Sequence, residues 1–420
     1  MSDELDRTLR GTLATVAGDA PPPVADLLER VETGHRRRRR RRRLAAALSI
    51  AVVLGGTGTV GVAARSGEGA APVAAKPSGL APVPLSGLGE PVQIRKKWPG
   101  AVRSLPARLP NGREYRPATM LGPDSMLVST WSSFERTDAL WEYDFRDRRV
   151  RRVADVVVPP GAKIFPSDFT VAGGQVVWWL VTRAAGAETV QFWAAPLAGG
   201  KSRRIAAMPL AGGRPADMIV DGGDVVWTLG GGRSAAIYRV PLSGGAPRKI
   251  PGTDGLRILS WPWAGAPGDE RSARVGDVRF KSIRNLQTGE RRTANVASFK
   301  GVWDCSVNWC VGGPASDVVY KSDELATPVQ RRNGRDGRSL PVDAGMHGGV
   351  LYERFVRYQP RELRTRNHVL YDLETGTLLD TGIRRGSSGI APSDRRDGRN
   401  PWLLQGNESG TFLIDLSKIR

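Results

Sequence analysis

A stretch that occurs twice constrains the fold of this chain more than any other feature of the sequence. Residues 173–204 read GGQVVWWLVTRAAGAETVQFWAAPLAGGKSRR, and residues 222–249 read GGDVVWTLGGGRSAAIYRVPLSGGAPRK. The same order recurs in both: two glycines, Val-Val-Trp, a polar break, an apolar run, Pro-Leu-small-Gly-Gly and a basic pair. Trp178 and Trp227 lie 49 residues apart. A self-repeat of this period predicts an architecture built from one repeated unit.

Each copy is typical of a β-hairpin. Val, Ile, Trp and Tyr favour a pleated, half-buried surface, and Gly-Gly allows the positive φ that a tight turn needs. Aligning the last apolar residue of each hairpin gives seven units, averaging about 45 residues, as in four-stranded propeller blades. The unit near Leu325 is the weakest match. These tip residues are Phe145, Leu197, Leu242, Leu286, Leu325, Leu373 and Leu416.

The two ends of the repeat region complement each other. The last unit stops at Arg420 directly after its hairpin tip, and Ala101–Pro110 (AVRSLPARLP) resembles the strand that the unit then lacks. An N-terminal strand that completes the last blade would leave few unprotected sheet edges. We therefore predict an all-β fold over residues 92–420, a seven-bladed β-propeller. Six blades remain the alternative, because the fifth unit is poorly marked.

A membrane anchor is predicted before the propeller. Residues 1–43 form a polar tail ending in eight arginines, Arg36–Arg43, and the next 21 residues, 44–64, carry no charge. A helix of that length spans about 31 Å, the thickness of a bilayer core. Arginines directly before a span favour a cytoplasmic N-terminus and an extracellular C-terminal domain. Cleavage after Val62-Ala63-Ala64 is the alternative, but so long a leading region favours an uncleaved signal anchor.

Charge indicates the class of partner. Residues 65–91 are rich in Ala, Pro and Gly, which is typical of an extended linker. The tail has 11 basic and 7 acidic residues, so +16 of the total charge of +20 belongs to the exported part. The arginine run is expected to meet anionic lipid headgroups of the cell membrane. For the propeller we expect an anionic cell-envelope polymer or an exported protein, and nucleic acid is disfavoured because the aromatic residues lie in hairpin strands.

The chain has two cysteines, Cys305 and Cys310, in the segment VWDCSVNWCVGG. Trp309 is aligned with Trp178 of the repeat, which places the cysteines on facing strands of one tight hairpin. Cα separations there suit a disulfide, and a disulfide fits an exported domain. A metal site would need further ligands, and a redox pair is more often Cys-x-x-Cys.

No catalytic motif accompanies the repeat. A nucleophile elbow, a zinc-protease motif, a phosphate loop and a dinucleotide fingerprint are all lacking. The sequence has three histidines, which disfavours Ser-His-Asp chemistry. We therefore predict no catalytic residues, no metal site and no cofactor, and the sequence favours a protein that is not an enzyme.

One loop stands out as a candidate contact with a ligand or partner. Trp261 and Trp263 flank Pro262 in an insertion that also contains Gly265 and Gly268. Two tryptophans on a loop would suit contact with a peptide or a sugar. The alternative is that they belong to the blade core, as the other tryptophans of the repeat do.

The layout resembles a group of single-pass membrane proteins of high-GC actinobacteria with an exported TolB-like or WD-repeat-like β-propeller. The likeness rests on PPPVADLLERVETGHRRRRRRRR, the apolar span, the YDLETG hairpin tip and the C-x-x-x-x-C hairpin with its Trp. The resemblance implies topology and fold, and it implies no activity.

Three functions are consistent with these patterns. The first is a membrane-tethered extracytoplasmic propeller that acts as a non-enzymatic binding or scaffolding module at the cell surface. The alternative is a surface propeller hydrolase or lyase acting on a glycan or small metabolite, with carboxylates converging on the channel. A third is a transmembrane regulator whose tail binds a cytoplasmic factor in the manner of anti-sigma proteins, although the zinc motif of such tails is absent.

Overall fold

A computed structural model describes residues 79–133, 136–210, 213–268, 273–315, 326–342, 349–358, 365–384, 391–392, 402–407 and 410–420. The predicted tail (1–43) and anchor (44–64) lie outside these residues. So does the predicted linker up to residue 78. Within the described ranges, no helix is both long and apolar enough to cross a bilayer.

Short β-strands are the main secondary structure of the described residues, and turns and loops connect them. The N-terminal elements are β1 (Ala81–Pro82), α1 (Leu85–Leu88), β2 (Val92–Gln93), α2 (Ile94–Lys97), a 3-10 turn (Pro99–Ala101) and β3 (Val102–Leu105). Next come β4 (Arg116–Met120), β5 (Ser125–Ser133), β6 (Arg136–Asp144), β7 (Val150–Asp155), β8 (Ala162–Ala172), β9 (Gln175–Ala184), β10 (Ala187–Pro196), β11 (Arg203–Pro209), β12 (Pro215–Asp221), β13 (Asp224–Leu229), a 3-10 turn (Gly232–Ser234), β14 (Ala236–Pro241) and β15 (Arg248–Lys249).

The C-terminal half continues in the same way. Its elements are β16 (Arg257–Ser260), β17 (Trp263–Gly265), β18 (Val278–Arg279), β19 (Ser282–Asn285), β20 (Arg291–Thr293), β21 (Val302–Cys305), β22 (Trp309–Gly313), β23 (Ala326–Arg331), β24 (Arg338–Val342), β25 (Phe355–Arg357), β26 (Asn367–Asp372), β27 (Leu378–Arg384), β28 (Ala391–Pro392), β29 (Trp402–Asn407), β30 (Gly410–Asp415) and a 3-10 turn (Leu416–Lys418).

These strands form seven sheets among the described residues. Five contain an antiparallel four-stranded meander drawn from one stretch of chain: β4–β7, β8–β11, β12–β15, β16-β17-β19-β20 and β21–β24. We number them first to fifth. The sixth sheet joins β25–β27 to β2, and the seventh joins β28–β30 to β3. The prediction of an all-β propeller is confirmed.

The repeated glycines make the predicted turns. Gly173 and Gly174 have φ of 58° and 69°, and Gly222 and Gly223 have φ of 56° and 89°. These left-handed values cost glycine little, because it has no Cβ. The glycine pairs connect β8 to β9 and β12 to β13, so that Trp178 and Trp227 lie on the second strands of their sheets, fully buried.

The apolar core lies between neighbouring sheets. One cluster joins Phe192 of the second sheet to Trp227 of the third, with ring centroids 4.1 Å apart. Another joins Leu105 of β3 and Leu413 of β30 to Met126 of the first sheet. Each sheet thus buries both faces against its neighbours, as sheets arranged around an axis do.

The N-terminal segment runs along three sheets before the first one begins. β1 pairs in parallel with β24 of the fifth sheet, and β2 pairs in parallel with β27 of the sixth. β3 then pairs antiparallel with β30 of the seventh, with Val102 opposite Ile414. The expected completion of the last unit by Ala101–Pro110 is therefore found. Residues 79–91, the last part of the predicted linker, lie against the propeller, and Leu88 is buried there.

Candidate functional site

In five of the sheets, the backbone N–H of the residue at the hairpin tip donates to the turn that precedes the hairpin. The Leu197 N–H donates to Gly174 O at 2.8 Å, and the Leu242 N–H donates to Gly223 O at 2.7 Å. The equivalent bonds start from Phe145, Leu286 and Leu373. In each of these sheets an apolar tip side chain packs into the cluster shared with the preceding sheet.

In the fifth sheet this position is occupied by an arginine. The Arg332 N–H donates to Asn308 O at 2.8 Å, in the same pattern. The sequence alignment placed this tip near Leu325, which lies outside the described residues, and the structure corrects that placement to Arg332. By the same register Asn308 matches Gly174, so Trp309 does not occupy the position of Trp178, as the sequence had suggested.

The Arg332 side chain is 4% exposed and lies between the fourth and fifth sheets. Its Nε and Nη2 donate to Ser306 O at 2.8 and 2.5 Å. Nη1 donates to Phe280 O at 2.9 Å and to Lys281 O at 3.1 Å. Backbone carbonyls therefore satisfy the guanidinium, which a buried charge requires.

Arg332 stays charged at neutral pH despite its burial. Burial lowers its pKa to about 10, with the Glu353 carboxylate acting to raise it and the Arg292 guanidinium to lower it. Arg292 and Arg332 line the same cavity, so the two guanidinium groups are neighbours. The one tip that carries a charge is thus next to a second arginine.

A cavity of about 360 Å³ opens beside Arg332, between the fourth strand (β20) of the fourth sheet and two turns of the fifth. Its lining combines three guanidinium groups, two amides, a hydroxyl and one aliphatic side chain, and no carboxylate. The lining residues are Arg292, Thr293, Val307, Asn308, Arg331, Arg332 and Asn333. We call this cavity the arginine pocket.

Arg292 and Arg331 are held in fixed orientations. The Arg292 guanidinium lies 4.3 Å from the centroid of the Trp263 ring, and the Arg331 guanidinium lies 4.5 Å from that of Trp309. Their Nε atoms each donate to a neighbouring carboxylate at 2.8 Å, Glu290 and Asp336 respectively. Stacking on an aromatic face and a bond at Nε both limit rotation of the guanidinium plane.

The two asparagines present donors. Asn308 Oδ1 accepts from Arg292 Nη1 at 3.4 Å, and Asn333 Oδ1 accepts from the Arg335 N–H at 3.1 Å. Since both amide oxygens are used within the protein, the amide nitrogens are the groups left to donate. Neither nitrogen has an acceptor among the described residues.

The turn carrying Asn308 is supported from its other side. Glu353, from the opening turn of the sixth sheet, accepts from Ser306 Oγ at 2.8 Å and from the Val307 and Asn308 N–H groups at 3.2 and 3.0 Å. The predicted disulfide is also found here: Cys305 and Cys310 are directly opposite on β21 and β22, with Cα atoms 4.0 Å apart. The disulfide therefore constrains the base of this hairpin, and the Glu353 carboxylate stabilises its turn.

The two tryptophans predicted as contacts both pack against core clusters. Trp263 is 9% exposed and packs with Val307. Trp261 is half-buried against the cluster of the third and fourth sheets. Of the two, Trp263 reaches the pocket, and it does so through Arg292, which it stacks against.

Carboxylates of the inner strands have structural partners where they are described. Asp168 accepts from Trp179 Nε1 at 2.7 Å, and Asp217 forms an ion pair with Arg257 at 3.1 Å. The described residues contain no group of three potential metal ligands. These carboxylates are used in holding strands together.

Sequence reasoning missed Arg332, although a signal for it exists. The tip residue precedes an arginine by six positions in the pairs Phe145/Arg151, Leu197/Arg203, Leu242/Arg248 and Leu286/Arg292. The same spacing joins Arg332 to Arg338. This signal is not specific, because Leu325 precedes Arg331 by the same six positions.

The chain matches no protein-family model and no curated protein. Among solved structures, the β-propeller domain of the Trilobed protease from Pyrococcus furiosus is similar, with 11% identity and a TM-score of 0.42 over 72% of this chain and 95% of that one. An oligogalacturonate lyase in complex with manganese shows 11% identity and a TM-score of 0.33 over 79% and 90%. These similarities concern the fold and carry nothing about activity.

Proposed function

We propose that this protein is a non-enzymatic binding module in which the arginine pocket receives an anionic ligand. The observation that carries the proposal is the buried Arg332, placed where other sheets have an apolar tip and next to Arg292 and Arg331. An arginine in place of a leucine at a packed interface costs desolvation free energy. Such a cost at one interface of the repeat is consistent with a functional role for that interface.

The proposal also states how the sheets and the anchor are arranged and where the protein is located. The seven sheets would be seven blades of one ring, preceded by an uncleaved anchor at residues 44–64 with a cytoplasmic tail. This arrangement is supported by the uncharged stretch after the eight arginines. It would hold the propeller at the outer surface of the cell membrane, where anionic envelope polymers and exported proteins are available partners.

A surface hydrolase or lyase is the less favoured function. Such an enzyme would need carboxylates free to act as acid and base. Among the described residues the inner-strand carboxylates Asp168 and Asp217 are occupied by Trp179 and Arg257. The regulator alternative concerns the tail, which lies outside the described residues.

Retention of the purified full-length chain on isolated cell-envelope fractions across a salt series tests the proposal. We expect retention that persists at high salt and falls when Arg331 is replaced by Gln. Arg248→Gln is the matched control, because it removes the same charge from an exposed strand elsewhere. Equal losses for both variants, or retention that disappears with salt alone, would mean that net charge accounts for the contact.

A further inference from the structure

The polar side chains of the arginine pocket offer more free donors than free acceptors, because the Asn308 and Asn333 amide oxygens already accept hydrogen bonds within the protein. The Nη groups of Arg331 and the amide nitrogens of Asn308 and Asn333 have no acceptor among the residues that the structure describes. Thr293 adds a hydroxyl. A ligand that satisfies these groups must bring several acceptor atoms to one point.

Charge points to a group with more than one negative charge. Glu290 and Asp336 pair with Arg292 and Arg331, but their side chains are 49% and 55% exposed, so water screens these pairs. Both pairs use the Nε of the arginine, which leaves both Nη groups of Arg331 and the Nη2 of Arg292 for another partner, since Arg292 Nη1 donates to Asn308. Arg332 adds a positive charge that is screened little, because it is buried.

Geometry distinguishes a tetrahedral oxyanion from a planar carboxylate. A carboxylate has two oxygens, which one guanidinium fork satisfies. The pocket instead presents two guanidiniums from different sheets, each stacked on a tryptophan, together with two amides. A tetrahedral group can share three oxygens among these donors. The volume of about 360 Å³ exceeds the need of the anion alone, so a substituent also has room.

From these observations we infer that the arginine pocket binds a phosphate group carried by a larger molecule. Arg292 and Arg331 contact the phosphate oxygens, and the amide nitrogens of Asn308 and Asn333 donate to them. Arg332 is a positioning residue: it holds the 306–308 turn and adds a buried positive charge next to the site. This inference rests on the proposed function, since it specifies the ligand class of the same site. The phosphate belongs either to a soluble phosphate ester or to a phosphate-bearing component of the envelope.

Isothermal titration of the purified full-length chain with inorganic phosphate, at constant ionic strength, tests the inference. We expect saturable binding at one site, with acetate binding at least about tenfold more weakly. Arg292→Gln and Arg331→Gln should each weaken phosphate binding by about tenfold or more, because each removes a charge-assisted contact. Arg248→Gln, at the equivalent strand position of the third sheet, should leave affinity within about twofold.

A second variant distinguishes loss of the binding site from loss of the fold. Arg332→Leu introduces the residue found at five other tips, so the sheets should form while phosphate binding is lost. Circular dichroism and thermal melting report on the fold. If this variant does not fold, the single variants at Arg292 and Arg331 decide the matter. Absence of saturable phosphate binding, equal affinity for acetate, or equal weakening by Arg248→Gln would overturn the inference.

Two further binding measurements identify the kind of molecule that carries the phosphate. Glycerol 3-phosphate that binds more tightly than inorganic phosphate indicates a soluble ester. Tighter binding to vesicles containing phosphatidic acid than to phosphatidylcholine vesicles, abolished by Arg331→Gln, indicates a lipid headgroup. If envelope retention depends on Arg331 but phosphate does not bind, the inference of a phosphate ligand is refuted and the proposed binding function is retained. Phosphate binding without envelope retention would refute the surface role.

Discussion

At the scale of single residues, one arginine position links neighbouring sheets. Arg151 Nη2 donates to Leu197 O at 2.8 Å, and Arg203 Nη2 donates to Leu242 O at 2.5 Å. Arg338 makes the same bond to Leu373 O. Each arginine lies on the fourth strand of its sheet and reaches the hairpin tip of the next. The basic pair recognised in the repeat therefore has a structural function in addition to its charge.

Replacing Arg203 by Met should destabilise the junction between the second and third sheets. The variant loses the bonds to Leu242 O and Ser243 O, and we expect the free energy of unfolding to fall by about 1 kcal/mol. Arg204→Met, on the same strand and also exposed, should change it by less than about 0.5 kcal/mol. Urea unfolding monitored by tryptophan fluorescence compares the two, and equal effects would show that this bond contributes nothing.

At the scale of elements, the hairpin of β21 and β22 combines several constraints on one turn. The disulfide closes its base, Arg332 donates to Cys305 O and Ser306 O, and Glu353 accepts from the turn N–H groups. The turn carries Asn308, which lines the arginine pocket. Rigidity of this hairpin is thus coupled to the shape of the pocket.

The double variant Cys305→Ala/Cys310→Ala tests that coupling. The loop closed by the disulfide is short, so we expect a loss of about 2 kcal/mol in the free energy of unfolding. Phosphate affinity should also fall, because a looser turn no longer presents Asn308 in one position. Thermal melting and titration calorimetry measure the two effects. Lower stability with unchanged affinity would show that the pocket does not depend on the disulfide.

At the scale of the whole molecule, β1, β2 and β3 connect the first part of the propeller to its last sheets. β1, β2 and β3 pair in succession with the fifth, sixth and seventh sheets. The last of these places Leu105 in the cluster that the seventh sheet shares with the first. Closure therefore rests on side-chain packing as well as on strand pairing, and it leaves β30 without an open edge.

Leu105→Ala should weaken this closure. Leu105 is 3% exposed, and truncating a buried leucine typically costs about 2–5 kcal/mol, including the cavity that remains. Val157→Ala is the control, because Val157 is 45% exposed and loses little on truncation. A clear fall in melting temperature for Leu105→Ala alone supports closure by β3. Similar melting temperatures for both variants would argue that the seventh sheet is stable without it.

The sequence by itself determined the local features of this protein. Val-Val-Trp runs after Gly-Gly dictate strands and tight turns, because β-branched and aromatic side chains favour pleated backbone and glycine tolerates positive φ. The closing strand at Val102–Leu105 and the disulfide of Cys305 and Cys310 followed from patterns spanning a few residues. The disulfide depends on short-range geometry, whereas the closing strand was inferred from the incomplete last unit, since β3 pairs with β30 far along the chain.

The arginine pocket was decided by the tertiary structure alone. Its lining comes from β20 of the fourth sheet and from two separate turns of the fifth, which the chain brings together only when the sheets pack. Whether Arg332 is buried and whether Trp263 is exposed likewise depends on the surfaces opposite them. Burial and electrostatic potential at an interface depend on both surfaces that meet there, whereas a sequence pattern describes the residues of one surface only.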